Sequence, residues 1–266
     1  MVRNVEGPSR FEGHEYPQLI PEPEHVMAGG PAPWSQLSPE TRQGVTLERV
    51  EGRLRSSERH LDVAPVPGDP VEVALVIGGP QRPVTRRSAV LVALFEEEGE
   101  AHVILTRRSL ELRHHRGEIA LPGGRSEAGE TPIETALREA NEEVGLEPVR
   151  VLPIAWLSPI VTFSSSSAIW PVVGLLSERP TLTADPAEVD RAFTISLSEL
   201  LSDGSFAEER WRRSEPRPGA DADGYFPIYF YRVPGDLIWG ATARVLTELL
   251  CLVTGVEWPG AHRVWG

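Results

Sequence analysis

The stretch "GGRSEAGETPIETALREANEEVGL" (Gly123–Leu146) decides the fold, because it contains a helix whose two ends are both marked in the sequence. Thr131 can act as the N-cap of a capping box with the glutamate three residues later, and Pro132 suits the first helical position. Gly145 suits the position just after the last turn, where a left-handed residue is common. The sequence therefore predicts a helix over roughly residues 132–144.

The predicted helix has two chemically different faces. At about 100° per residue, one face is apolar and consists of Ile133, Ala136, Leu137, Ala140 and Val144. Glu139, Glu142 and Glu143 share another face, because residues three and four apart are neighbours on a helix. Three carboxylates on one patch repel each other, and a hard divalent cation would turn that repulsion into binding. A solvated acidic face is the alternative interpretation.

A longer spacing pattern surrounds these carboxylates. Gly124 is followed by five residues and Glu130, then by seven residues and the segment "REANEEVGL" (Arg138–Leu146). The pattern resembles the Nudix box: Gly, five residues, Glu, seven residues, then Arg-Glu-U-x-Glu-Glu-x-Gly-U, where U is a bulky aliphatic. Every fixed polar or glycine position is present. Ala140 departs from the pattern, since it is small where a bulky aliphatic residue is usual.

The resemblance implies a hydrolase of a nucleoside diphosphate linked to another group, with Mg²⁺ or Mn²⁺ as the cofactor. The metal would neutralise the diphosphate and make a bound water nucleophilic near neutral pH. The resemblance implies that the metal ligands are Glu139, Glu142 and Glu143. It implies that Glu130 supports this metal site. Glu142 and Glu139 are also the implied catalytic residues of the box, while Arg138 is expected to hold a carboxylate or the loop.

The general base is not fixed by the box, because Nudix families take it from the box or from a downstream loop. Glu188, in "DPAEVDRAF", is the best downstream candidate, and a surface carboxylate at the start of a strand is the alternative. Gly123 and Gly124 are expected to let the backbone pass close to the metal site and the substrate.

A second signature precedes the box, in "ILTRRSLELRHHRGEIALPGG" (Ile104–Gly124). It resembles that of the coenzyme A diphosphatase branch of the Nudix superfamily: Leu-Leu-Thr-x-Arg-Ser/Ala, three residues, Arg, three residues, Gly, three residues, Phe-Pro-Gly-Gly. The departures are Ile104 for Leu and Leu121 for Phe, both apolar for apolar. The segments "AEVDRAFTISLSELL" and "LIWGATARVL" also resemble that branch, so the resemblance covers about residues 45–255.

The second signature implies a substrate with a phosphate monoester, because coenzyme A carries a 3′-phosphate beside its diphosphate. Charge-assisted hydrogen bonds from basic side chains suit such a group. The substrate-binding candidates, in order of preference, are Arg108, Arg113 and His115, followed by Arg107 and Arg116. Some of these could instead be surface arginines in a chain without lysine, and Arg113 could pair with Glu118 as scaffold.

Two alternatives to coenzyme A hydrolysis stay open at the level of sequence. The first is the same fold acting on ADP-ribose, a dinucleotide or a damaged nucleotide. The second is of another class, a Nudix-fold protein that binds a nucleotide or a partner without hydrolysis. The intact carboxylate pattern of the box disfavours the second.

The composition of the chain indicates which kinds of binding partner and which cellular compartment to expect. A formal net charge of −13 disfavours non-specific nucleic-acid binding. No run of about eighteen apolar residues and no signal-peptide core are present, so neither a membrane partner nor secretion is expected. Cys251 is the single cysteine, which excludes a disulfide framework or a cysteine-rich zinc module and fits a reducing, cytoplasmic setting. A small-molecule substrate is the expected partner, and a homodimer stays open.

The order of elements predicts the fold class. Helix-like and strand-like runs are mixed without regular alternation, which favours an α+β protein with a mixed β-sheet between helices, the α/β/α arrangement of the Nudix fold. Strands are expected at Val71–Gly78, Arg87–Glu96 and Ala101–Arg108, among others. Residues 1–40 are proline-rich and are predicted to be an irregular tail that is dispensable for chemistry. Residues 41–266 are predicted to form the Nudix hydrolase domain.

Overall fold

The structure is a computed structural model of the 266-residue chain. It describes residues 18, 20–21, 23–61, 86–162, 167–212 and 220–258. The strand predicted at Val71–Gly78 lies outside these residues. Within them, no helix has both the length and the apolar character that a membrane crossing requires.

The helices of the described residues include the one whose start and end were predicted from the sequence. In chain order they are α1 Pro39–Arg42, α2 Leu47–Arg55, α3 Pro132–Val144, α4 Leu197–Leu200 and α5 Gly240–Thr254, with a short 3₁₀ helix at Pro148–Arg150. In α3 the Thr131 hydroxyl accepts from the backbone N–H of Glu134 at 3.2 Å, and Gly145 ends the helix at φ 68°. Local capping chemistry therefore set both boundaries.

The strands form two sheets. In chain order they are β1 His25–Ala28, β2 Arg86–Glu97, β3 Glu100–Arg108, β4 Ile119–Ala120, β5 Gly123–Arg125, β6 Leu152–Trp156, β7 Ile160–Thr162, β8 Ser167–Leu175, β9 Val189–Ser196, β10 Phe206–Arg212, β11 Tyr225–Val233 and β12 Asp236–Trp239. The main sheet has the order β4-β3-β2-β8-β6, with β5 also on β2, β7 on β8 and β9 on β3. Since β2 and β8 are parallel and the other pairs are antiparallel, the sheet is mixed, as predicted.

Helices cover both faces of the main sheet. Side chains of β2 alternate between two apolar clusters, as the two-residue period of a strand requires. Leu91 and Phe95 share one cluster with the apolar face of α3. Leu94 shares the other with residues of α2 and α5 such as Leu54 and Leu246. The α+β class with a sheet between helices is confirmed.

The second sheet was not predicted as a separate unit. It is antiparallel, with the order β1-β10-β11-β12, and most of its aromatic side chains belong to the larger apolar cluster. A buried carboxylate joins it to the main sheet. Asp236 at the start of β12 is 1% exposed and accepts from Arg107 Nη1 at 3.3 Å and from Arg191 Nη2.

The range predicted as an irregular tail contains regular structure and part of the core. Strand β1 pairs with β10, and the Trp34 ring is 1% exposed. Its centroid lies 5.5 Å from that of Phe206 and 6.4 Å from that of Tyr231. Within residues 23–40 only β1 and the start of α1 are regular, and the large aromatic surface of the second sheet gives this mostly irregular segment something to pack on. The boundary between residues 40 and 41 stays a prediction.

Candidate functional site

Two glycines lie on strand β5, which pairs with β2 in the main sheet and lies against the carboxylates of α3. Gly123 pairs with Val90 and Gly124 with Ala89, both on β2. A Cβ atom on Gly123 would lie 2.3 Å from the carbonyl oxygen of Ala89. On Gly124 it would lie 2.4 Å from Glu139 Oε2. Glycine is needed at both positions because the backbone passes this closely between the sheet and the carboxylates.

Glu143 is the buried carboxylate of the site. It is 3% exposed, and it accepts a hydrogen bond from the backbone N–H of Gly123 at 3.1 Å. Arg108 Nη1 lies 3.6 Å from Glu143 Oε1. Burial raises the pKa of Glu143 to about 7 against the opposing effects of Gly123 and Arg108. The end of β3, strand β5 and α3 therefore meet at this carboxylate.

Glu139 and Glu188 extend the acidic group around Glu143. Burial raises the pKa of Glu139, and the charges of Glu142 and Glu188 raise it further. The charge of Glu188 also raises the pKa of Glu143, so Glu188 faces both helix carboxylates. The exposed Glu188 is fixed through its backbone, since its carbonyl accepts from the N–H of Ser109 at 2.8 Å.

Arg138 holds the exposed side of the acidic group. Its Nε donates to Glu130 Oε1 at 2.7 Å, while Nη1 donates to Glu139 Oε1 at 3.0 Å and to Glu142 Oε2 at 2.8 Å. Its Nη2 donates to the carbonyl of Arg125 at 3.0 Å, which ties the helix to the loop. The Arg138 hydrogen bond, helped by other donors, lowers the pKa of Glu130 to about 2. Arg138 thus orders the three carboxylates and also the loop, as expected.

The carboxylate oxygens of the acidic group are of the chemical type that binds a hard divalent cation. Among the described residues, no three His, Cys, Asp or Glu side chains are arranged as a metal-binding group. The charges of neighbouring carboxylates nevertheless raise the pKa of Glu139 and of Glu143, and a cation would relieve that repulsion. Carboxylate oxygens are the ligands that Mg²⁺ prefers. Arg138 compensates part of the negative charge by binding Glu139 and Glu142.

The segment from Arg108 to Glu118 forms a loop beside Glu143. Two backbone hydrogen bonds close its base: Gly117 N–H to the Arg108 carbonyl at 3.1 Å, and Arg108 N–H to the Glu118 carbonyl at 3.0 Å. The exposed Arg113 makes no ion pair with another described residue. Glu118 instead contacts His115, with 3.0 Å between His115 Nδ1 and Glu118 Oε2. The alternative in which Arg113 pairs with Glu118 is therefore wrong.

Arg107 points away from the loop. It donates through Nε to Asp190 Oδ2 at 2.7 Å and through Nη1 to Asp236. These contacts make Arg107 part of the scaffold between the sheets. Arg116, like Arg113, is exposed and makes no ion pair with any other described residue. The structure thus places Arg108 at the carboxylates and the other two arginines on the exposed loop.

Comparisons with known proteins agree with the first signature, the Nudix box. The family model of the NUDIX domain matches residues 85–215. "Nudix hydrolase 15, mitochondrial" of Arabidopsis thaliana is 38% identical over 174 residues, which are 63% of this chain and 58% of that protein. This chain therefore spans little more than half the length of the Arabidopsis relative. "Uncharacterized Nudix hydrolase NudL" of Photorhabdus laumondii is 36% identical over 166 residues, 62% of this chain and 83% of that protein.

A solved structure, that of a Nudix hydrolase from M. Smegmatis, RenU, is similar over 42% of this chain and 70% of its own. Its sequence identity is 22% and its TM-score 0.37.

Proposed function

This chain belongs to the Nudix hydrolase family, and we propose that it is a metal-dependent hydrolase of the diphosphate bond in coenzyme A or its derivatives. The products would be 3′,5′-ADP and 4′-phosphopantetheine. The observation that carries the proposal is the approach of Arg108 to the buried Glu143, at 3.6 Å. It joins the loop of the coenzyme A signature to the carboxylates of the box.

The acidic group would hold the cofactor. Mg²⁺ or Mn²⁺ would bind to Glu139, Glu142 and Glu143, with Glu130 in support, and would supply charge neutralisation and an activated water. The protein orders these ligands before substrate arrives. The Gly123 N–H orients Glu143, while Arg138 orients the other three carboxylates.

Glu188 is the proposed general base. It lies near Glu139 and Glu143 and is itself exposed, so solvent can reach its carboxylate. The Ser109 N–H fixes its backbone. In the reaction a water oxygen would bond to one phosphorus, the bridging P–O bond would break, and Glu188 would take the proton from the water.

The loop after β3 would bind the other end of the nucleotide. Arg108, Arg113 and His115 would donate charge-assisted hydrogen bonds to the 3′-phosphate. The backbone at Gly123 and Gly124 lies against Glu143 and Glu139, and there it would pass close to the diphosphate. This division of labour matches a substrate that carries two separate phosphate groups.

A panel of diphosphates tests the proposal. The protein is incubated with Mg²⁺ or Mn²⁺ in ¹⁸O-labelled water with coenzyme A, dephospho-coenzyme A, ADP-ribose or a dinucleotide, and the products are identified by mass. We expect 3′,5′-ADP and 4′-phosphopantetheine, with a single ¹⁸O in the 3′,5′-ADP. Adenosine 3′-phosphate or pantetheine would mean cleavage at an ester bond.

The same panel separates the alternatives. ADP-ribose or a dinucleotide that turns over much faster than coenzyme A would keep the chemistry and discard the substrate assignment. Binding without any turnover would indicate the non-hydrolytic class. The cytoplasmic setting and the homodimer stay predictions.

A further inference from the structure

Glu118 occupies a fixed position at the end of β3. Its carbonyl accepts from the Arg108 N–H at 3.0 Å, and its own N–H donates to the His115 carbonyl at 3.3 Å. Its side chain is 22% exposed and contacts the His115 ring. Main chain and side chain of Glu118 therefore both hold His115.

His115 has an uncommon backbone conformation. Its φ is 56°, in the left-handed region that residues other than glycine rarely adopt. A conformation of this kind persists where the surroundings impose it, and such positions cluster at ligand-binding loops. Here the two contacts with Glu118 impose it. The turn exposes 58% of the His115 side chain, so the ring has a polar partner on one nitrogen and access to solvent.

The ring lies in a cationic neighbourhood with one balancing carboxylate. The hydrogen bond that His115 donates to Glu118 raises the pKa of His115, while burial and the charge of Arg108 act in the opposite direction. Arg108 and Glu118 are thus the charged groups that face the ring from the flanking strand and the loop base. His114, Arg113 and Arg116 are on the loop itself.

We infer that Glu118 is a positioning residue, which holds the His115 ring beside Arg108 so that the ring donates to the phosphate monoester of the substrate. The inference deepens the proposed function and rests on it. The charge on the ring strengthens binding of a phosphate dianion, so recognition of this group weakens as the pH rises through the pKa of His115. Because Glu118 raises the pKa of His115, the loss of phosphate binding occurs at a higher pH than it would without Glu118.

The variant Glu118→Gln separates charge from geometry, since the amide still accepts a hydrogen bond from Nδ1–H. We expect KM for coenzyme A at pH 7.5 to rise about three- to tenfold, with kcat little changed, because the variant lowers the pKa of His115. KM for dephospho-coenzyme A should not change. The matched control is His114→Gln, since His114 is exposed and has no hydrogen bond to another described residue.

Two direct readouts accompany the kinetics. An NMR titration of the His115 ring should show a lower pKa in Glu118→Gln than in the wild type. Calorimetry should show that the variant weakens binding of 3′,5′-ADP but not of 5′-AMP. An unchanged ring pKa, or equal effects on both nucleotides, would overturn the inference.

The two proposals fail differently. If the wild type does not hydrolyse coenzyme A, the proposed substrate falls. The role of Glu118 is then decided by the calorimetric comparison of 3′,5′-ADP with 5′-AMP. If the wild type hydrolyses coenzyme A and Glu118→Gln has the wild-type pH profile of KM, the proposed function stands and the inference falls.

Discussion

The buried carboxylate of Glu143 accepts a hydrogen bond from the backbone N–H of Gly123 at 3.1 Å. This contact fixes helix α3 to strand β5, which is held on the main sheet through β2. Because only the short strand β4 and two residues separate β5 from the loop that carries Arg113 and His115, the contact also limits the distance between the acidic group and the basic loop. The proposed substrate, which carries a diphosphate and a separate 3′-phosphate, would require such a fixed spacing.

Glu142 provides the sharpest test of metal-dependent catalysis. Its side chain is 58% exposed, so Glu142→Gln should change the free energy of unfolding by less than about 0.5 kcal/mol. Turnover should nevertheless fall by at least about a hundredfold, because a proposed ligand of the metal would be lost. The measurements are kcat at saturating Mg²⁺ and thermal unfolding of both proteins.

Glu147→Gln is the matched control for Glu142→Gln. Glu147 lies just past the C-terminus of α3, is exposed and caps no helix through its side chain. Its variant should keep wild-type turnover. Wild-type turnover in Glu142→Gln, or full activity in EDTA, would contradict a metal-dependent site.

Arg113→Ala tests recognition of the 3′-phosphate. Loss of a charge-assisted contact of about 1.5–3 kcal/mol should raise KM for coenzyme A by about ten- to hundredfold. KM for dephospho-coenzyme A should stay near its wild-type value, and this substrate is the internal control. If KM for both substrates rises by the same factor, Arg113 contributes to the loop rather than to the phosphate.

Trp34→Ala tests whether the N-terminal segment belongs to the folded body. Trp34 is 1% exposed, so the substitution should lower the free energy of unfolding by about 3–5 kcal/mol. Met27→Ala, at a side chain that is 52% exposed, should change it by less than about 0.5 kcal/mol. Chemical denaturation measures both. A loss below about 1 kcal/mol for Trp34→Ala would mean that the segment contributes little to the stability of the folded body.

Local signals account for what the sequence predicted well. The bounds of α3 follow from its cap, its proline and its terminal glycine, all within a few residues of the ends they mark. Helical spacing placed Glu142 and Glu143 on one patch but did not show which of the two side chains is buried. Glu143 is buried and Glu142 exposed because β5 returns over one side of the helix only, which depends on strand pairing far along the chain.

The two adjacent arginines of the second signature show the same limit. Successive residues of a regular strand point to opposite faces, so Arg107 and Arg108 on β3 were expected to diverge, although the pairing of β3 with β9 shifts register between them. The sequence therefore predicts that the two side chains separate. It does not predict which of them contacts the acidic group, because the partners of Arg107 are Asp190 on strand β9 and Asp236 in the second sheet.

The adjacent glycines of β5 yield a prediction in which stability and activity separate. In Gly123→Ala the new methyl group would meet the backbone oxygen of Ala89, which is held in the sheet. We expect a loss of at least about 1–3 kcal/mol in the free energy of unfolding. In Gly124→Ala the methyl group would meet the carboxylate of Glu139, the mobile end of a side chain, so the fold should survive.

Gly124→Ala should then impair chemistry, because Glu139 must move away from its place beside Glu143. A displacement of about 1 Å in a catalytic group can cost on the order of a hundredfold in rate. The control is Gly52→Ala in α2, where a Cβ would meet nothing within 4 Å. That variant should gain about 0.5–1 kcal/mol of stability with unchanged turnover. Wild-type turnover in Gly124→Ala would show that the position of Glu139 in this structure is not the one that catalysis uses.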